Sequence, residues 1–369
     1  MKTKISNHQM FALAANFAIG DTVIASSSSI AALAHQDAWI AALITPVIGL
    51  PFIWLYCYLG KLYSGKTLID MIESAFGKWF GWIISAVFVL SICLLSAGQV
   101  VSYVGNFMQS EYMTETPLYA LNLLLIVALV VGMLYGLEAI ARSAEVFVVL
   151  VTVLMMLAIV LNLKNIHVEN LLPIFEEGIA PVLKGTLFSS TFLTWPFIIL
   201  LMVYPSCTEQ TSKTRKSLFL GFLLGAVVNF VCTIMAIMVL GSTITARSLY
   251  PAYLMAKEIS VGVITRIEGV VSFSWILTEF VRTIIYFYAG TIGLCQLFKI
   301  KNHKRIILPL GLVTLVYSGV IYPTAAYQAK WDTTTWVLSI LTFGVILPIL
   351  ILAVTKIKTV LGSSINTQD

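Results

Sequence analysis

Charged residues are scarce in this sequence. Only 11% of the 369 residues are charged, and 59% are hydrophobic. A soluble domain with so little charge could not stay in solution, because charged side chains normally cover the surface of such a domain. The composition therefore excludes an ordinary soluble protein and predicts a membrane protein.

Patterns of metal-binding and catalytic residues are also missing. The five cysteines have no CxxC spacing, and the four histidines lie in separate segments. This favours neither a disulfide framework nor a zinc site. The sequence has no nucleophile–base constellation, no phosphate-binding loop and no HExxH-type motif. We therefore expect no metal, no cofactor and no catalytic residue, and an enzyme is disfavoured.

Ten long apolar stretches make up most of the chain. A membrane-spanning helix needs about 20 such residues, and these stretches are apolar on every side, which indicates helices and not barrel strands. The predicted spans are 10–33, 39–60, 79–106, 117–137, 144–163, 185–206, 217–241, 268–298, 306–322 and 334–355. The connections are too short for a soluble domain. Residues 1–358 are therefore predicted to form one polytopic transmembrane domain, followed by a polar cytoplasmic tail at 359–369.

The positions of Lys and Arg predict the orientation. Of the 22 basic residues, fifteen fall in the loops on one side, six fall in the loops on the other, and Arg282 lies inside a span. Basic residues accumulate on the cytoplasmic side of membrane proteins. Both termini are therefore expected to be cytoplasmic, and the net charge of +5 reflects topology and not nucleic-acid binding.

Two connections are predicted to contain short helices. After the second span, Thr67 and Asp70 have the spacing of a capping box, and apolar residues follow on one helical face as far as Gly77. Between spans seven and eight, residues 250–259 are expected to form a small helix.

Spans one and six are interrupted. Gly20, Asp21 and Thr22 lie in the middle of span one, and hydroxyl residues precede Pro196 in span six. One interpretation is that small residues pack helices closely and proline only bends one of them. The other is that both helices unwind around a polar site. The interruptions fall at corresponding positions of two five-helix halves, as in inverted-repeat transporters with a binding site at mid-membrane.

The second interpretation defines a candidate site for a small molecule. Free backbone groups and dipoles of the half-helices would hold the charged ends of a zwitterion. The predicted ligand-binding residues are Gly20, Asp21, Thr22, Thr191, Thr194 and Trp195, with Gln99, Tyr103 and Thr283 opposite. Tyr286 and Trp336 are further candidates for the wall. Asp21 could border the ligand or cap the second half of a broken helix, and the two roles are compatible.

Two groups of charged residues are candidates for structural or gating roles. Glu279 and Arg282 are three residues apart on one face of span eight, where pairing would lower the cost of burying each charge. A part in coupling or gating is the alternative. Glu138, Arg142 and Glu145 flank the turn between spans four and five. They are predicted to form a cytoplasmic network, with a solvated cluster as the alternative.

Several short stretches together resemble one family. They are Gly20-Asp-Thr, Gln36-Asp-Ala-Trp-Ile40, Gly136-Leu-Glu-Ala-Ile-Ala-Arg142, Asn170-Leu-Leu-Pro-Ile174, Arg266-Ile-Glu268 followed by Trp275, and Leu308-Pro-Leu310. Each stretch is weak alone, but their order and spacing over ten spans are fairly specific. From about residue 5 to about residue 358 the chain resembles the B subunits of Ger-type nutrient receptors of bacterial endospores.

The resemblance implies a fold and a function. The family is similar to amino acid–polyamine–organocation permeases, which implies an all-α LeuT-like fold with a 5+5 inverted repeat, with repeats at about 8–165 and 184–356. It also implies a nutrient ligand such as an amino acid, A- and C-type partner subunits, and the spore inner membrane. The chain departs from many relatives after Trp195-Pro-Phe197, where Ile198 and Ile199 stand in place of an acidic residue. Its ligand chemistry is therefore expected to differ from theirs.

Three functions remain open from the sequence. The first is a germinant-receptor subunit that binds a small nutrient near the middle of the membrane. The second is an amino acid permease coupled to an ion or proton. The third is a scaffold that only assembles the partner subunits. One fold can host all three, so the fold alone does not separate them.

Overall fold

The computed structural model describes residues 4–24, 26–208, 212–259 and 267–365, with the backbone alone at 21–24 and 360–365. Within this part of the chain, eight helical segments are long and apolar enough to cross a membrane. Two of the ten predicted spans are not separate members of the eight. Span nine is a helix of 17 residues, and span one is described as two helical stretches on either side of residue 25, which lies outside the described residues.

The first half of the chain forms spans one to five. Its helices are α1 (Asn7–Ile24), α2 (Ser26–Ala34), α3 (Ala38–Leu62), α4 (Leu68–Phe76), α5 (Lys78–Phe88), α6 (Leu95–Glu111), α7 (Leu118–Tyr135) and α8 (Leu137–Asn162). A π-helical turn, Val89–Leu94, joins α5 to α6 within span three.

The second half forms spans six to ten. Its helices are α9 (Ile179–Leu193), α10 (Tyr204–Cys207), α11 (Ser212–Leu240), α12 (Ser242–Arg247), α13 (Pro251–Lys257), α14 (Glu268–Leu297), α15 (Lys304–Val320), α16 (Ala325–Thr333), α17 (Thr335–Leu341) and α18 (Leu347–Ile365). A 3-10 helix, Trp195–Met202, joins α9 to α10, and a π-helical turn, Thr342–Ile346, joins α17 to α18.

The backbone is helical through the Gly20–Thr22 segment, where the sequence predicts an interruption of span one. α1 continues through Gly20 and Asp21 to Ile24, and α2 begins at Ser26, with residue 25 outside the described residues. The side chain of Asp21 is also outside the described residues, so its two proposed roles stay predictions.

The first two serines of α2 anchor this helix. The Ser26 hydroxyl donates a hydrogen bond of 2.8 Å to Oδ1 of Asn229, whose amide donates to Ser189 at 3.3 Å. The Ser27 and Thr233 hydroxyls are 3.1 Å apart. Each of these side chains is buried. Hydrogen bonds between helices thus account for Ser26 and Ser27, as expected if small polar residues in the spans serve to pack helices together.

Small residues bring α1 close to α11 at the centre of the bundle. A methyl group on Gly225 would lie 2.1 Å from Cβ of Ala18, and one on Gly221 would lie 2.6 Å from Cβ of Ala14. Such contacts are possible only because these glycines lack a side chain. α1 also packs against α14 and α8, so α1 is enclosed by other helices.

Both predicted short helices are confirmed. α4 begins after Thr67, whose N–H donates to Oδ2 of Asp70 at 2.8 Å while Asp70 N–H donates to the Thr67 hydroxyl at 3.4 Å. The capping box is therefore complete. α13 covers the middle of the predicted 250–259 segment.

The face of the bundle that carries residues 4–8 is called the N-terminal face, and the face that carries α13 is the opposite face. On the N-terminal face, Arg142 pairs with Glu138 at 2.7 Å. Glu145 contacts His8, with 2.6 Å between Oε1 and Nδ1. The prediction of one network joining Glu138, Arg142 and Glu145 is therefore only partly right. Glu145 contacts the start of α1, whereas Arg142 pairs within α8, the helix that carries both residues.

Candidate ligand-binding site

The break in span six follows from Pro196. In a continuous α-helix the N–H at position 196 would bond to the Phe192 carbonyl, but proline has no N–H and clashes with that carbonyl. The chain leaves the α-helix at Thr194 and continues as a 3-10 helix. The Phe192 carbonyl accepts a hydrogen bond of 3.2 Å from Nη2 of Arg282 instead. A side chain of α14 thus takes the place of the missing backbone donor.

A second carbonyl at the same helix end is held in a similar way. The Thr191 carbonyl accepts a hydrogen bond of 3.2 Å from the indole N–H of Trp336 on α17. The Thr191 hydroxyl donates back to the Phe188 carbonyl at 2.6 Å. The last turn of α9 is therefore bonded to spans eight and ten, and these bonds fix its position at the centre of the bundle.

Arg282 also binds the first half-helix. Its Nη1 donates to the Phe17 carbonyl of α1 at 2.8 Å, and its guanidinium carbon lies 4.7 Å from the centroid of the Phe17 ring and 5.7 Å from that of Tyr286. The Arg282 side chain is fully buried. Carbonyl oxygens and aromatic faces both stabilise a buried cation. One arginine therefore joins α1 to α9, the helix that ends at the break in span six.

Gly20 and Glu279 lie beside this arginine. A methyl group on Gly20 would lie 3.0 Å from Cδ of Arg282 and 3.3 Å from Oε2 of Glu279. Glu279 is fully buried like the arginine, so both charges of the predicted pair occupy the interior next to α1. Their direct pairing stays a prediction.

A small cavity opens next to the end of α9. Gln99 and Tyr103 of α6 line it, facing Tyr286 and Trp336, with Ser96, Val100 and Phe192 completing the wall. The space available to the centre of a water-sized sphere is about 10 Å³, which corresponds to roughly one water molecule. The lining combines a carboxamide, hydroxyls and aromatic faces, as in sites that orient small polar molecules.

A tyrosine–aspartate contact closes the cavity towards the opposite face. The Tyr103 hydroxyl donates a hydrogen bond of 2.5 Å to Oδ1 of Asp332 on α16. The Tyr322 ring stacks on Tyr103 at 5.4 Å, and its hydroxyl donates to the Tyr103 hydroxyl at 3.3 Å. Tyr103 of the cavity wall is therefore held by contacts with Tyr322 and with Asp332 of α16, and a motion of α16 would break the second of these.

An aromatic cluster connects α13 with Gly20 of α1. Trp275 donates a hydrogen bond of 3.0 Å from its indole N–H to the Gly20 carbonyl. Phe107 packs edge-on against Trp275 at 5.1 Å and against Tyr253 of α13 at 5.4 Å. Burial raises the pKa of Tyr250, at the start of α13, to about 12. This neutral, packed cluster covers the end of α1 towards the opposite face.

The predicted site residues fall in different places around this centre. Gln99 and Tyr103 line the cavity with the wall candidates Tyr286 and Trp336. Trp195 instead packs edge-on against Phe52 at 6.3 Å, on the α3 side of span six. The predicted roles of these residues in ligand binding stay predictions.

Thr194 and Thr283 are buried near the cavity without lining it. Within the described part of the chain, the Thr194 hydroxyl and the Trp195 indole N–H have no hydrogen-bond partner. The Thr283 hydroxyl donates to the Glu279 carbonyl at 2.6 Å. The side chains of Asp21 and Thr22 lie outside the described residues.

Several residues at this site were not predicted from the sequence. Phe192 is in the site through its carbonyl, which the position four residues before Pro196 could have indicated. Ser96 lies one helical turn before Gln99 and extends the polar stripe of α6. Asp332 and Tyr322 close the site from the start of span ten and the end of span nine. Their distance in sequence from Tyr103 left no local pattern to detect.

Tyr103→Phe is expected to loosen the closure by Asp332. The change removes one hydrogen bond to a carboxylate on a half-buried residue, worth about 1 kcal/mol, or roughly a fivefold shift in population. The measurement is the rate at which a membrane-impermeant maleimide labels the cysteine in Ser96→Cys, a substitution in the cavity wall. The corresponding protein that keeps Ser96 gives the background labelling. Tyr322→Phe is the matched control, because it removes only the longer hydroxyl–hydroxyl bond. If Ser96→Cys is labelled at the same rate with and without Tyr103→Phe, the Tyr103–Asp332 contact does not control access to the cavity.

Comparison with known proteins places this architecture. A family model described as "Spore germination protein" matches residues 4–326. Spore germination protein KB of Bacillus subtilis (strain 168) is 26% identical over 324 residues, which cover 87% of this chain and 86% of the relative. The relative and this chain are thus similar over almost their full lengths.

Two solved structures share the fold. MhsT, solved in complex with L-phenylalanine, has a TM-score of 0.70 at 14% identity and covers 96% of this chain and 99% of its own. MHP1, a nucleobase-cation-symport-1 family transporter solved with bromovinylhydantoin, has a TM-score of 0.69 at 10% identity over 92% of this chain and 76% of its own. Both have the LeuT fold, so the predicted all-helical, LeuT-like architecture is confirmed, and the sixth span is broken as predicted.

Proposed function

The chain belongs to the spore germination protein family, and we propose that it is the membrane subunit of a germinant receptor that binds a small nutrient and triggers germination. Amino acids are the favoured class of nutrient. They carry an ammonium and a carboxylate, which half-helix termini and carbonyl groups at a helix break can hold. The role we propose is binding and signalling, without catalysis.

The observation that carries this proposal is the cavity at the end of α9. Gln99 and Tyr103 supply hydrogen-bonding groups, and Tyr286 and Trp336 supply aromatic walls, directly beside the break that Pro196 creates. The cavity has room for about one water molecule in this conformation. An amino acid would therefore bind by moving the wall, and that motion is the natural source of a signal.

Partners and location follow from the same proposal. A- and C-type receptor subunits are the proposed partners, in the spore inner membrane with both termini in the cytoplasm. The N-terminal face carries most of the basic residues, which supports its assignment to the cytoplasmic side. A ligand-dependent motion of α1 would reach this face through the contact between His8 and Glu145.

An amino acid permease is the second candidate, because both structural neighbours named above are built on a transporter fold. The two functions differ in what the ligand must do. A receptor ligand only has to bind one of two states better, and a preference of ~100-fold corresponds to about 2.7 kcal/mol. A permease must release its ligand on both sides and reset. Gradient-driven accumulation of an amino acid by proteoliposomes containing only this chain would establish the permease.

Deletion of the gene tests the receptor proposal in spores. We expect spores without this chain to lose the response to one set of nutrients and to keep the response to others, measured as the fall in optical density of the suspension. The wild-type gene supplied in trans should restore the response. Unchanged responses to every nutrient in a broad panel of amino acids, sugars and nucleosides would argue against a receptor role.

Gln99→Ala then separates ligand binding from scaffolding. Loss of one hydrogen bond to the nutrient costs about 1 kcal/mol, so the nutrient concentration for half-maximal germination should rise roughly five- to tenfold. Gln109→Ala is the matched control, because Gln109 lies on the same helix and donates to the Thr116 carbonyl away from the cavity. A scaffold without a ligand would respond equally to both changes.

A further inference from the structure

Arg282 lies where carbonyl oxygens of α1 and α9 converge. Its two terminal nitrogens donate to the carbonyls of Phe17, at 2.8 Å, and Phe192, at 3.2 Å. The Phe192 carbonyl is free for this contact because Pro196 cannot donate to it. The arginine therefore binds one carbonyl that the break in span six makes available and one carbonyl of the neighbouring helix α1.

Such oxygen atoms are the ligands of small monovalent cations in proteins with broken transmembrane helices. Here the positive charge is attached to α14. The rings of Phe17 and Tyr286 flank it, and Oε2 of Glu279 lies beside the same Gly20 position as the arginine side chain. Guanidinium is more weakly hydrated than ammonium and never loses its charge at physiological pH. It is therefore suited to remain permanently at a buried site.

We propose that Arg282 is a resident cation that occupies a monovalent-cation site between α1 and α9, so that this protein needs no exchangeable Na⁺ or K⁺ to join these two helices. Removing the guanidinium would leave the two carbonyls facing an empty space, with the Glu279 carboxylate nearby at Gly20 of α1. That space should bind a monovalent metal ion from solution.

The test measures the melting temperature of the purified full-length protein in chlorides of Na⁺, K⁺ and N-methyl-D-glucamine at equal ionic strength. No nutrient is added, so the result does not depend on the proposed germinant-receptor function. The wild-type protein should melt at the same temperature in all three salts. Arg282→Ala should melt at a lower temperature in N-methyl-D-glucamine and recover by roughly 2–4 °C or more in Na⁺ or K⁺.

Two further variants make the result specific. Glu279→Gln/Arg282→Ala lacks the carboxylate and should show no selective effect of Na⁺ or K⁺. Arg282→Gln keeps more side-chain volume, and it replaces Arg282→Ala if the latter does not accumulate. A selective shift of the wild-type protein in Na⁺ or K⁺ would overturn the proposal. So would the absence of a selective shift in a folded single variant. If neither single variant folds, the wild-type measurement alone decides.

Discussion

Glu279→Gln and Arg282→Gln are each expected to reduce strongly the amount of folded protein in the membrane. Both side chains are fully buried, and each change leaves the other charge in apolar surroundings with its partners altered. The expected cost is roughly 3–5 kcal/mol for each single change. Protein abundance in membranes and the melting temperature in detergent are the measurements.

The double variant Glu279→Gln/Arg282→Gln should recover part of this loss, because no charge then remains unbalanced. Glu111 and Lys257 provide the matched control. Their ion pair, 3.1 Å long, lies on the partly exposed opposite face, where such pairs contribute about 0–1 kcal/mol. If the single variants at 279 and 282 accumulate normally and only germination fails, the structural role is wrong and a gating role remains.

The break in span six could be predicted from one residue, whereas the polar segment of span one gave no comparable constraint. Pro196 removes a specific hydrogen bond, so the end of the α-helix just before it follows from covalent chemistry. Gly20 and Asp21 each keep a backbone N–H, and α1 continues through them to Ile24. A glycine and a polar residue within a span therefore do not by themselves unwind a helix that its neighbours enclose.

The candidate site could be predicted only in part, because some of its contacts join distant segments of the chain. Tyr103 and Asp332 are joined by a hydrogen bond across 229 positions of sequence, and no local periodicity contains that information. The same holds for Glu145. It was expected to join the neighbouring arginine and instead contacts His8 near the start of the chain. Residue type predicted that these polar groups would have partners, while the packing of the helices determined which partners they have.

The proline break and the buried arginine form one arrangement. Pro196 frees the Phe192 carbonyl, and Arg282 binds that carbonyl together with the Phe17 carbonyl of α1. The cavity wall includes Phe192 and Tyr286, and Tyr286 also flanks the guanidinium. A ligand that displaced this wall would therefore change the contacts of the arginine with both α1 and α9. This gives a physical path from a bound nutrient to the position of α1.

Gly20→Leu is expected to abolish the nutrient response of spores. The structure leaves no room for a side chain here, because even a methyl group would lie 3.0 Å from the Arg282 side chain and 3.3 Å from the Glu279 carboxylate. A leucine must therefore displace Arg282 or move α1, and it would disturb the bond between the Gly20 carbonyl and Trp275. The measurements are germination at saturating nutrient and protein abundance in the spore membrane.

Gly20→Ala and Gly269→Leu distinguish crowding of Arg282 from the mere loss of a helix glycine as the cause of this effect. Gly20→Ala adds only the methyl group next to the flexible arginine stem, so it should give a weaker response at near-normal abundance and decides the matter if Gly20→Leu does not accumulate. Gly269 also lies in a helix, but none of the described residues comes within 4 Å of a methyl group placed there, so Gly269→Leu should leave germination unchanged. Normal sensitivity of a Gly20→Leu protein present at normal levels would remove Gly20 from the site. Equal losses in Gly20→Leu and Gly269→Leu would instead attribute the effect to the loss of a helix glycine, and not to crowding of Arg282.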